Sequence, residues 1–120
     1  MNDIILNQYG IRFQKEDNYV LVFCDRYPIV SIFLNRFSSD KSEVREFLQA
    51  VNLAITGNFH LIAYDHIEWT KELGFQLYSG RINNNMTFDL FMDDHYDKTL
   101  QTFPLSDIKE IFDSLLEFIS

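Results

Sequence analysis

Two short stretches gather the residue types that could do chemistry, Asp65-His66-Ile67-Glu68 and Asp93-Asp94-His95-Tyr96-Asp97. Both offer the carboxylates and imidazoles that hold hard metals or move protons. Neither has the spacing that those chemistries need. A calcium loop alternates oxygen ligands around a glycine at its sharp turn, a pattern missing from both stretches. A zinc site wants two histidines at helical spacing or a matched Cys/His set, and His60 and His66 with the single cysteine, Cys24, do not make one. Gly10, Gly57, Gly74 and Gly80 are too scattered for a phosphate loop, and there is no nucleophile elbow. Cys24 closes the run Tyr-Val-Leu-Val-Phe-Cys and reads as a small buried hydrophobe; being alone, it excludes an internal disulfide and suits a reducing cytoplasm. The sequence therefore predicts no catalytic residue, metal or cofactor, and it ranks a binding module above an enzyme. The alternative is a small-molecule-binding or enzymatic domain using a cleft near Asp65, His66 and Glu68.

The binding reading starts from Met86 to Asp97, an alternating run that ends in a knot of acids. As a strand it sends Phe88, Leu90 and Met92 to one face and Asp89, Phe91 and Asp93 to the other. An aromatic ring held among carboxylates suits an interface, because aromatics supply contact area while the acids pair with a partner's Lys and Arg. The candidate face is Asp89, Phe91, Asp93, Asp94, Tyr96 and Asp97, joined by Glu68 and Trp69 from a neighbouring strand. A bland reading competes with it: Phe91 and Trp69 are covered, and the acids line solvated turns. The net charge of −8 is uneven, with ten acids against eight bases in residues 1–84 and eight against two in residues 85–120. That sign repels phosphate backbones, so it argues against nucleic acid and anionic membranes and for a basic partner.

The elements that must position these residues follow from periodicity. Residues 1–120 make one domain by length, and 47% hydrophobic content is that of a folded chain. No apolar run approaches the roughly 20 residues of a membrane span, and no signal peptide is legible after Met1. Tyr9 to Gln14 and Tyr19 to Cys24 read as a hairpin, and Ile29 to Phe37 as a third strand after the interruption at Pro28. Asp40 with Glu43 has the form of a capping box, and Val44, Phe47, Leu48, Val51, Ala54 and Ile55 continue it as a helix that stops at Gly57. Strand signal returns from Phe59, with His66 to Thr70 as a strand or irregular edge. Leu73–Tyr78 and Met86–Asp93 form a hairpin around the asparagine-rich turn. After a connector containing Leu100 and Phe103, Ser106 reads as the cap of a last helix with Ile108, Ile111, Phe112, Leu115 and Ile119 inward and Glu110, Asp113 and Glu117 outward. The sum is α+β, a mainly antiparallel sheet of five to six strands with two helices, in the order βββ-α-ββ(β)-α.

With this length, a pI near 4.6, a single cysteine, the Phe-Pro-Leu-Ser-Asp-Ile-Lys-Glu-Ile-Phe helix start and the acidic Met86–Asp97 strand, the chain resembles the small acidic immunity proteins of bacterial contact-dependent growth-inhibition and polymorphic-toxin systems. The resemblance implies a cytoplasmic, non-catalytic protein, a monomer when free, that binds and neutralises one cognate basic toxin domain. Such toxins are often nucleases, and the acids would then stand in for the phosphates of the toxin's substrate.

Overall fold

Phenylalanine builds the centre of this fold. Phe47 lies 4.3 Å from Phe112, centroid to centroid, and within 6 Å of Phe33, Phe37, Phe88 and Trp69. Tilted and edge-on arrangements dominate, as the ring quadrupole prefers. These rings come from three helices and two strands, so a single cluster joins helices to sheet.

The computed structural model describes residues 1–73, 76–92 and 99–120, with side chains described outside 71–77 and 92–99. The described elements are α1 (Asp3–Tyr9), β1 (Ile11–Lys15), β2 (Val20–Cys24), α2 (Pro28–Phe37) and α3 (Lys41–Ile55), then 3₁₀ turns at Phe59–Leu61 and Tyr64–His66. They continue as β3 (Glu68–Leu73), β4 (Gln76–Ile82), β5 (Thr87–Met92), β6 (Thr99–Pro104) and α4 (Leu105–Ile119). The fold is α+β with two antiparallel sheets, a β1-β2 hairpin and a four-stranded sheet in the order β3-β4-β5-β6. Two helices more than expected appear, and the order differs accordingly.

Each difference has a physical cause. Ile29 to Phe37 is a helix, because Pro28 at its first position is preorganised for helical φ and Val30, Phe33, Leu34 and Phe37 fall three and four apart. Its β-branched composition conceals that period. The alternation from Phe59 resolves into two 3₁₀ turns, leaving Leu61 and Tyr64 exposed. The connector around Phe103 is an edge strand, β6, paired with β5. The turn between β4 and β5 starts at Asn83 rather than Gly80, since Gly80 lies inside β4, where a Cβ would stand 2.7 Å from two carbons of the Phe33 ring.

The two helices read from periodicity are present. Asp40 caps α3 by accepting from Glu43 N–H at 3.0 Å, but the Glu43 carboxylate turns to Arg36 Nη1 at 2.7 Å instead of closing the box. Gly57, at φ +80°, follows the α3 cap. Helix α4 starts one residue before Ser106. The Leu105 N–H donates at 2.9 Å to the carbonyl of Met86, a non-glycine residue at φ +66°, so the β4–β5 turn supplies a partner for the helix start. Helix α1 then occupies much of the outward side of α4: Asn2 Nδ2 donates to Glu110, Asn2 N–H to Ser114 Oγ, and the Tyr9 hydroxyl to Asp107.

Candidate functional site

Strand pairing sets Glu68, Arg81, Asp89 and Thr102 side by side across β3, β4, β5 and β6. This row lies on the sheet face away from the phenylalanine cluster, because Trp69, Ile82, Phe88, Leu90 and Phe103 take the inward positions. The alternation expected for Met86–Asp93 is therefore present in β5. Two of its outward residues are nevertheless buried. Asp89 is 8% exposed and Phe91 1%. Strand β5 is flanked by β4 and β6, so it is not an edge.

Asp89 is held by two neighbours. Thr102 Oγ1 donates to Oδ1 at 2.7 Å and Arg81 Nη2 to Oδ2 at 3.1 Å. Burial pushes the Asp89 carboxyl pKa up, but these hydrogen bonds and the Arg81 charge outweigh it and hold the group below the usual carboxylate value. The same guanidinium lies over the Phe91 ring at 5.2 Å. A carboxylate so satisfied and a ring so covered do not form an open docking face. Trp69 is also part of the core, 5% exposed, packed on Phe37 and Phe47 with its Nε1 donating to the His66 carbonyl at 2.8 Å. The expectation of an exposed aromatic face built on Asp89, Phe91 and Trp69 is corrected on these grounds. Asp93, Asp94, Tyr96 and Asp97 lie outside the described residues.

What the row does border is a cleft of about 490 Å³ lined by Tyr64, Asp65, Ile67, Glu68 and Arg81. The second 3₁₀ turn positions it: the Ile67 carbonyl accepts from Ile82 N–H at 2.9 Å, fixing the turn to β4, and Tyr64 is left 93% exposed. Asp65 is exposed and Glu68 half-buried. His66, grouped with them in sequence, instead stacks on Trp69 with centroids 5.3 Å apart and planes 25° from parallel.

No family model, curated protein or solved structure matches this chain. Among the described residues, no group of three or more His, Cys, Asp or Glu side chains is placed to hold a metal ion. No described helix is long and apolar enough to cross a membrane. Cys24 is buried, its Sγ donating to the Tyr9 carbonyl at 3.2 Å, and burial pushes its thiol pKa up, away from nucleophilic character. The residue that sequence reasoning passed over is Tyr64. Its alternation with Ile62 reads as strand, so nothing in the sequence marks it as an exposed turn residue.

Proposed function

We propose that this chain is a non-catalytic binding protein that engages a basic protein domain through the corner made by Tyr64, Asp65 and Glu68. The observation that carries the reading is the Tyr64 ring, fully presented to solvent on the rim of a cleft bearing two carboxylates and backed by a sheet. An aromatic with few rotatable bonds gives an interface its anchor, and flanking acids steer and pair with Lys and Arg. The resemblance to immunity proteins supplies the partner class, a toxin domain with a basic active site of the nuclease type. On this reading the protein acts as a monomer in the cytoplasm of the cell that it protects.

A small-molecule reading has one observation in its favour, since the cleft exceeds the roughly 300 Å³ at which ligand pockets begin. Its weakness is chemical: His66 does not line the cleft, and Arg81 is engaged by Asp89.

The test is co-purification with the product of the gene immediately upstream, at low and high salt, followed by association kinetics with any basic domain so retained. Asp65→Lys should slow association about tenfold or more at low salt, with a smaller effect at high salt. Tyr64→Ala should mainly speed dissociation. If both variants bind as the unmodified protein does, this corner is not the interface; if no basic domain is retained at all, the inhibitor reading fails and a metabolite screen replaces it.

A further inference from the structure

A second concave feature lies where α1, the start of α2, β6 and the first turn of α4 meet. Tyr9, Tyr27 and Phe103 pack there as a trio, with ring centroids 5.6, 5.7 and 5.5 Å apart. Beside them is a cleft of about 340 Å³ whose lining includes Gln8, Tyr9, Tyr27, Gln101, Phe103 and Asp107. It shares no residue with the Tyr64 cleft.

Two acceptors in this lining are left over by the packing. Asp107 receives the Tyr9 hydroxyl on Oδ2 at 2.6 Å, yet forms no ion pair with a described Lys or Arg. Gln101 Oε1 is buried and has no hydrogen-bond donor among the described residues. Arg26 is tied nearby, its Nη1 donating to the Gln8 carbonyl at 2.9 Å rather than to Asp107. A carboxylate without an ion pair beside the half-buried Tyr27 ring, with a spare amide oxygen, is complementary to a cation that also donates hydrogen bonds. A chain of net charge −8 raises the local concentration of such ions.

We propose that this cleft binds a small organic cation, an alkylammonium or a guanidinium, with Asp107 as counter-charge, the half-buried Tyr27 as the ring wall and Gln101 as an acceptor. The proposal is independent of the toxin-binding reading, because the cleft is complete within one chain. The cationic group can be a free amine or the side chain of a bound protein, and the two are separable by probe.

The experiment is an NMR titration of the full chain with agmatine, with Nα-acetyl-arginine amide, and with N-butylurea as an uncharged control. Saturable shifts confined to the amides of Tyr27, Gln101, Thr102 and Asp107 are expected with a cationic probe and not with the urea. Saturation by agmatine alone marks a free-amine site, whereas equal or tighter binding of the capped arginine marks a side-chain site; both support the cleft. Asp107→Asn, which keeps an acceptor for the Tyr9 hydroxyl, should weaken binding about tenfold. Should that variant unfold, Gln101→Leu carries the same test with a loss of a few fold. Glu46→Gln, removing an exposed acid on α3, should bind like the unmodified protein. Shifts spread over the whole surface, unsaturable binding, unaltered affinity in Asp107→Asn and Gln101→Leu, or an equal loss in Glu46→Gln would each overturn the proposal.

Discussion

Asp89 stands between Arg81 and Thr102 in the outer row, and its protonation is coupled to folding through both. Its folded pKa lies below the ordinary value, so its contribution is complete above the unfolded pKa of about 3.9 and is lost as pH falls through the folded value. Asp89→Asn keeps the shape but not the charge. At neutral pH it should lower stability by about 1–3 kcal/mol, the range for a hydrogen bond to a charged group. That deficit should shrink below about pH 4, as the unfolded carboxylate takes up a proton before the native one does. Urea denaturation at pH 7 and pH 3 measures both values, and a deficit that stays constant would show that Asp89 is not held as the anion. The alternation of β5 was legible because period two is a backbone property. Burial of its outward side was not, since that depends on Arg81 arriving from β4 to lie over Phe91. Tyr64 escaped because its alternation with Ile62 reads as strand, whereas the chain makes two 3₁₀ turns there.

Elements meet here through side chains that imitate backbone. Asn35 of α2 accepts from Val22 N–H at 3.0 Å and donates to the Val22 carbonyl at 2.9 Å, so its amide pairs with β2 as a neighbouring strand would. Arg36 does similar work for β3, its Nε donating to the Thr70 carbonyl at 2.6 Å while the guanidinium covers Phe37 and Trp69. Both contacts protect strand edges that would otherwise pair with other chains. Asn35→Ala leaves a backbone donor and acceptor of Val22 unpartnered and should cost about 1–3 kcal/mol. Thermal or urea unfolding checks this; a neutral effect would mean that water replaces the amide. Helices α3 and α4 were readable from their apolar stripes, and α3 also from its Asp40 cap; Ser106 is not the cap of α4, whose N-cap position is Pro104 with no side-chain cap bond. Helix α2 was not readable, because Ile-Val-Ser-Ile-Phe favours strand by composition and conceals the three-and-four spacing of Val30, Phe33, Leu34 and Phe37, which burial against the core makes decisive. The 3₁₀ turns were missed for want of length, three residues being too few to show a period.

At the scale of the molecule, two sheets and four described helices lean on one aromatic cluster, and that predicts a single cooperative transition. The hairpin β1-β2 is not paired with the larger sheet, so its coupling runs through the helices: α2, which carries Asn35 on one side and Phe33 and Phe37 on another, and α4, whose Phe118 packs on Phe13. Trp69, the only tryptophan, packs on Phe37 and Phe47 and so reports on the cluster by fluorescence. Far-UV circular dichroism reports on the helices, and hydrogen exchange at the Val22 amide on the hairpin. All three should give one urea midpoint in the unmodified protein. Phe47→Ala, which removes the ring that touches Phe33, Phe37, Trp69, Phe88 and Phe112, should shift all three together by about 3–5 kcal/mol. A Val22 amide that exchanges at its original free energy while the Trp69 transition moves would mean that the hairpin and α2 form a separate unit. In that case the Tyr9–Tyr27 wall would be free to move against β6, and the cation cleft would be a junction between two units rather than a feature of one.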